Sequence, residues 1–282
     1  MTTHLVVTDA EELTPSIRRL WFRSDDLSAF ADSVHTDRYV KLIFPKQGVD
    51  YPNPLDVRAL RGVIPPQDMP VIRTYTALFP DVGRGTLAID FVIHGDAGVA
   101  GPWAAAARVG DTLLVNGPGG SYRPDPSADW HLLVGDESAL PAITAALDVL
   151  PEHAIVRVVV LVDSVEHEPD LPVPAGGELT FVHRTSDGLD GGLVEAVRAL
   201  GWPSGRVQAF VHGETDEVMR GLRPHLLHER GVEREQMSIS GYWRRGSPEE
   251  EFRTMKDGRA RSPKDPLAAR TSSLEHPGPG RQ

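Results

Sequence analysis

"LLVGDESALPAI", residues 132–143, is the stretch from which the chain is read. Leu132, Leu133 and Val134 form an apolar run of strand type. Gly135 reads as a turn, and Ala139, Ile143, Ala146, Leu147 and Leu150 continue at helical spacing. Strand, turn and amphipathic helix in that order open a nucleotide-binding α/β unit. The turn nevertheless has one glycine where a dinucleotide fingerprint has three, and it carries two carboxylates, Asp136 and Glu137. Carboxylates repel phosphate, so this turn does not offer a glycine cradle for pyrophosphate. An acidic first turn also complements a helix dipole, which by itself accounts for part of their presence.

Downstream of this stretch the same pattern repeats. "AIVRVVVLVD", "ELTFVH", "VQAFVHG" and "MSISGYW" are strand-like and alternate with helical runs at 138–150, 191–201 and 215–230, the last with a kink expected at Pro224. Val158–Val162 is apolar without alternation, as a strand covered on both faces should be. The pattern is βαβα, hence a parallel sheet with helices on both sides.

Upstream the period is different. "LVV", "IRRLWFRS", "YVKLIFP", "IRTYTALF", "TLAIDFVIHG" and "DTLLVNGP" are short strands broken by Pro, Gly and Asp, with one helix at "GPWAAAARVGD". About six such strands predict an antiparallel β-barrel. The Pro/Asp/Ser run "YRPDPSAD", 122–129, divides a barrel domain (1–124) from an α/β domain (125–255). Residues 256–282, with four prolines and little apolar mass, read as a tail without a core.

Bulk properties exclude several classes. The 282 residues hold no cysteine, which removes disulfides, thiolate metal sites, iron–sulfur clusters and a cysteine nucleophile. The net charge of −11 argues against nucleic-acid binding. No membrane span and no signal peptide are read, so a cytoplasmic protein is expected. The histidines show no metal-binding spacing, and no metal is expected.

Four motifs carry chemistry. In "RTYT", Arg73 and Tyr75 alternate onto one face, where a guanidinium can take phosphate and a phenol can pack on a flat heterocycle, with Thr76 meeting a polar ring edge. The same residues also suit an ordinary strand. "DFVIHGDAGVAGPWAAAARVGD", 90–111, runs from Asp90 through His94 into a glycine turn and a helix N-terminus. There Gly98, Ala100 and Gly101 let a phosphate approach the backbone. The third motif is the Gly135 turn. "GYWRRG", 241–246, puts Tyr242, Trp243, Arg244 and Arg245 at the end of the last strand, either lining a cleft or packing a terminal helix.

Taken in order and at these spacings, the motifs resemble the siderophore-interacting protein family, flavin-dependent ferric-siderophore reductases of the ferredoxin-reductase superfamily. The resemblance spans residues 5–255. It implies a barrel that binds FAD through Arg73, Tyr75, Thr76, Asp90, His94, Gly98, Ala100, Gly101 and Trp103. A nicotinamide-nucleotide domain would follow, with Gly135, Asp136, Glu137, Tyr242 and Trp243 facing the cleft. Lys41, Arg123, Arg244 and Arg245 would be the cations for an anionic ferric chelate. No catalytic acid or base is required, since the flavin carries the chemistry. The implied electron donor is NADPH or NADH, with Arg184 one candidate for a 2′-phosphate. A reduced ferredoxin is a second reading, and a non-catalytic siderophore- or flavin-binding module a third. Two departures from the family pattern stand out: Leu78 where many members have arginine, and a phosphate loop at 98–103 without the family's serine and arginine.

Overall fold

The computed structural model describes residues 2–95, 98–184 and 192–246. The 256–282 tail and the segment after "GYWRRG" lie outside them. β1 (Thr2–Thr14), β2 (Ile17–Arg23), β3 (Tyr39–Phe44), β4 (Val71–Asp81), β5 (Thr86–Val92) and β6 (Thr112–Gly119) close into an antiparallel barrel, in the order β1-β2-β5-β4-β3-β6. Inward-facing Leu5, Leu20, Phe22, Val40, Leu42, Leu87, Ile89 and Phe91 are all fully buried and fill it. One end is closed by α1 (Ala100–Ala106), whose Trp103 ring lies 5.9 Å from Phe44 and 5.8 Å from Phe91. The alanines that favour α1 also keep its packed face thin, and Ala100 and Ala104 are buried.

β7 (Trp130–Asp136), β8 (Val156–Val162), β9 (Gly177–His183), β10 (Val207–Glu214) and β11 (Met237–Trp243) form a wholly parallel sheet in the order β11-β10-β7-β8-β9. The non-alternating valines of β8 are explained by two cores. Val156, Val158, Val160 and Val162 pack with α2 (Leu140–Asp148), and Val159 and Leu161 pack on the opposite face with α3 (Gly192–Ala199). The helical run at 215–230 is largely π-helical, over Glu217–Leu222 and His225–Glu229. Pro224 lies at the junction and has no N–H to return to the carbonyl of Arg220, so the ladder widens there in place of a simple kink.

Gly135 is not the turn that its sequence context suggests. β7 runs through it to Asp136, and a Cβ at Gly135 would stand 2.5 Å from Ala139 Cβ and 2.7 Å from the His212 carbonyl. The glycine lets α2 and β10 close on β7, and the turn follows one residue later.

The outer barrel face of β4 and β5 meets α2. Leu78, Ala88 and Ala145 form a buried cluster with Trp21 and Phe79 beside it. Ala88, on the face opposite Leu87 and Ile89, is therefore covered. The same contact accounts for leucine at 78: the side chain is fully buried against Ala145, where a guanidinium would be desolvated. Ile17 and Tyr122 join the α2 core from the barrel side, and the Tyr122 ring packs tilted against Phe210, with centroids 4.8 Å apart. Leu78→Ala should cost about 2–5 kcal/mol. Calorimetry of the variant should show one lowered transition, since the cluster supports barrel and sheet together; two separated transitions would count against that coupling.

Candidate active site

The β3–β4 register decides which side chains meet. Leu42 pairs with Arg73, Val40 with Tyr75, Lys41 with Thr74 and Tyr39 with Thr76. Directly paired residues share a face, so Arg73 and Tyr75 lie on the face of Val40 and Leu42. Tyr75 lies 4.9 Å from Phe91. Arg73 is half-buried and donates from Nη1 to the Ile72 carbonyl at 3.0 Å. Lys41 and Thr76 belong to the other face, where Lys41 is exposed beside Thr74 and Asn116. Arg73 and Tyr75 are thus brought together, and Lys41 projects from the opposite side of the same two strands.

Beyond β5, His94 is exposed, and Gly95 and Gly98 have φ of +53° and +82° with no atom within 4 Å of a Cβ placed on either. Both glycines are left-handed with open space where a side chain would stand, so an anion can approach the backbone at each. Asp96 and Ala97 lie outside the described residues. At Gly101 a Cβ would come 3.3 Å from the Val92 carbonyl, so this glycine serves close packing of α1. Trp103 plugs the barrel. Asp90 is 5% exposed and held bidentately by Arg19, Nε at 2.6 Å and Nη2 at 2.8 Å. Burial raises its carboxyl above the usual range, against the opposing effect of the Arg19 hydrogen bond and charge. Its acceptor capacity goes to Arg19, a partner the sequence reading did not connect to it.

At the carboxyl ends of β7, β10 and β11, Asp136 is 1% exposed. Its Oδ1 accepts from the Ser138 N–H at 2.9 Å, and its Oδ2 accepts from the Glu214 N–H at 2.9 Å and Trp243 Nε1 at 2.7 Å. Glu137, 2% exposed, accepts from Ser16 Oγ at 2.8 Å and Arg184 Nη2 at 3.1 Å. The expectation that these two carboxylates face the cleft is corrected: both are buried and bound to donors of the chain, because a buried charge needs partners. Arg184 also holds Asp163 at 2.8 Å, so its charge lies between two carboxylates. Gly213 has φ +152°, and a Cβ there would meet Asp136 Oδ2 at 2.8 Å. Glycine is required for the Glu214 N–H to reach that carboxylate.

Glu214 and Glu217 complete this edge and were missed as a pair. Glu214 Oε2 accepts from the N–H groups of Asp216 at 2.6 Å and Glu217 at 3.0 Å, and Oε1 accepts from the Arg245 N–H at 3.2 Å. The signal was present in "HGETDE", which sets two acids three apart at a helix start. Tyr242 packs on His212 at 4.6 Å, and His212 packs on Phe210 at 4.1 Å. Burial, then the charges of Asp37 and Asp136, push the Tyr242 phenol upward. Arg244 approaches Asp216 at 3.6 Å, and Arg123 is exposed with its carbonyl on Gln208. The candidate cations are therefore dispersed over β3, the segment between β6 and β7, and the end of β11. Among the described residues no group of acids and histidines is arranged to hold a metal ion, and no helix is long and apolar enough to cross a membrane.

Residues 6–122 match the siderophore-interacting FAD-binding domain, and residues 128–246 match the siderophore-interacting protein domain. The chain belongs to the siderophore-interacting protein family. An uncharacterised Mycobacterium tuberculosis protein is 42% identical over 89% of this chain and 93% of its own length. The ferric vibriobactin reductase ViuB of Vibrio cholerae is 33% identical over 85% and 88%. The NADPH-dependent ferric-chelate reductase of Escherichia coli is 35% identical over 54% and 58%. The crystal structure of the siderophore-interacting protein SipS of Aeromonas hydrophila superposes with a TM-score of 0.75, at 28% identity, over 93% of this chain and 98% of that one. The ferredoxin reductase of carbazole 1,9a-dioxygenase shares the fold, with a TM-score of 0.63 at 17% identity, over 86% and 70%. The barrel and parallel sheet are thus arranged in the same fold as that ferredoxin reductase.

Glu217 yields a stability test. Burial, then the charges of Asp136 and Glu214, raise its carboxyl from the ordinary 4.5 to about 7. The folded form binds this proton more tightly than the unfolded chain, so stability falls as pH rises from 4.5 to about 7 and stays low above. Glu217→Gln should therefore raise the thermal midpoint most above about pH 7. The gain should fade toward pH 4.5. A pH-independent difference in midpoint would show that the proton is not held there.

Proposed function

We propose that this chain is an FAD-dependent reductase of ferric siderophores, drawing electrons from NAD(P)H and releasing Fe(II) in the cytoplasm. The observation that carries this reading is the shared face of Arg73 and Tyr75 on β4, with Tyr75 against Phe91 and open space over Gly95 and Gly98 after β5. These residues fit a flavin dinucleotide. The half-buried guanidinium suits a pyrophosphate, the Tyr75 ring a flat heterocycle, and the left-handed turn offers backbone without side-chain obstruction. Bound FAD supplies the conversion between a two-electron donor and a one-electron iron acceptor. The protein's own part is to bind and orient. Arg73 anchors an anion, Trp103 and Phe91 stiffen the wall behind Tyr75, and the α2 contact at Leu78 fixes the sheet edge against the barrel.

Lys41, exposed on the outer face of β3, with Arg123 and Arg245 elsewhere on the surface, supports recognition of an anionic chelate as the substrate class. Fe(II) binds hard oxygen chelators more weakly than Fe(III), so reduction itself releases the metal. The decisive experiment is the visible spectrum of the purified protein, followed by stopped-flow reduction with NADPH, NADH and reduced ferredoxin. A flavin band that bleaches with NAD(P)H is expected; a colourless protein that cannot be reconstituted with FAD would overturn the reading.

Two variants test the residue roles. Arg73→Ala should weaken FAD retention more than Lys41→Ala, because losing a charge-assisted contact costs about 1.5–3 kcal/mol. Equal FAD occupancy in both would remove Arg73 from the pyrophosphate. Lys41→Glu should raise the KM for an anionic ferric chelate and leave flavin reduction unchanged. The effect should shrink from low to high salt, as the Debye length falls from about 10 Å at 0.1 M to about 3 Å at 1 M. If anionic and neutral chelates respond alike at every salt concentration, Lys41 is not the docking cation.

A further inference from the structure

Glu217 is 8% exposed, and neither of its carboxylate oxygens meets a hydrogen-bond donor among the described residues. Its acidic neighbours are satisfied. Asp136 accepts from Ser138, Glu214 and Trp243, and Glu214 accepts from Asp216, Glu217 and Arg245. The charged groups that face Glu217 are Asp136 from β7, Glu214 from β10 and Arg184 from the end of β9. Arg184 is bound to both Glu137 and Asp163. Asp216, one residue before Glu217, is shared by Arg220 at 3.3 Å and Arg244 at 3.6 Å. One carboxyl at this edge therefore lacks donors where its neighbours have full sets.

The carboxyl ends of a parallel sheet are where dinucleotides sit, and a dinucleotide brings phosphates. Three buried carboxylates would repel them. The carboxyl that can give way is the one whose charge the chain does not stabilise. Once protonated, it presents an O–H that a phosphate oxygen can accept. We propose that Glu217 gates the nucleotide site: its neutral form donates a hydrogen bond to a phosphate oxygen of the bound dinucleotide, and its ionised form expels that anion. The inference rests on NAD(P)H being the electron donor. The carboxyl changes state at about 7, where burial and its two acidic neighbours set it, so the gate works near neutrality.

The test is calorimetric titration of the FAD-loaded protein and its Glu217→Gln variant with NAD⁺ and NADP⁺, from about pH 6 to about pH 9. NAD⁺ has no phosphate that titrates in this range, and the difference between wild type and variant cancels the 2′-phosphate of NADP⁺. Linkage to one proton raises the wild-type Kd about tenfold per pH unit above the transition. Glu217→Gln, a permanent donor of similar shape, should bind with a nearly flat profile and at least about tenfold more tightly than wild type at the alkaline end. Glu217→Ala should be equally flat but weaker than the glutamine variant at every pH. A flat wild-type profile, or a glutamine variant that keeps the wild-type slope, would overturn the gate. If neither dinucleotide binds wild type or variant at any pH, the NAD(P)H reading itself fails and takes the gate with it, which is a different result from binding without pH dependence.

Discussion

The carboxylate of Asp136 accepts hydrogen bonds from three separate stretches of chain: the turn at Ser138, the end of β10 at Glu214, and the indole of Trp243 on β11. Parallel strands have no hairpin to align their ends, so some other contact must set where they stop. Here one buried anion does so. It needs donors because burial without them is costly, and backbone N–H groups at strand ends need acceptors for the same reason. Gly213 is the backbone condition for the arrangement, since any side chain there would collide with the carboxylate. The edge of the sheet, and hence the floor of the proposed nucleotide site, takes its shape from this group.

Glu137 extends the frame across to the barrel through Ser16 and across the sheet to Arg184. Adjacent residues of one turn thus face different tasks: Asp136 fixes strand ends, and Glu137 ties two layers of structure. The hydrophobic part of that tie is Leu78, Ala88 and Ala145, with Ile17 and Tyr122 beyond it. The proposed function has electrons pass from a donor on the sheet to an acceptor on the barrel; such transfer depends steeply on geometry, and a closely packed interface resists the misplacement that would slow it.

Fold class was legible because period alone separates the halves. Leu87, Ile89 and Phe91 alternate, β8 does not, and each pattern has one reasonable architecture. The details that failed were those where a residue type has two physical uses. Gly135 serves close approach as readily as a turn, and only the positions of Ala139 and His212 tell which. Asp136 and Glu137 suit a cleft or a buried frame equally well on paper, because their donors come from residues 16, 184, 214 and 243, far away in sequence. Asp90, a cofactor residue by resemblance, likewise has Arg19 opposite it in the β2–β5 register, a partner 71 residues away in sequence. Glu217 was legible only in part: "HGETDE" sets it three residues after Glu214 at a helix start, but its lack of hydrogen-bond donors leaves no pattern in the sequence.

The same logic bears on the phosphate loop. α1 has seven residues, and a helix this short contributes only a partial dipole. The loop before it also lacks the serine and arginine of the family pattern. Arginine is absent from position 78 as well, where the interface with α2 requires an apolar side chain. Charge for a pyrophosphate is thereby concentrated on Arg73. Its backbone is fixed by β3 on one side, and its neighbour Tyr75 is braced by Phe91. A single preorganised guanidinium on a rigid strand makes a better anion site than several mobile ones, because less side-chain entropy is lost on binding. In the proposed function, cofactor binding on this barrel therefore turns on one cation, where the family pattern distributes the load over three.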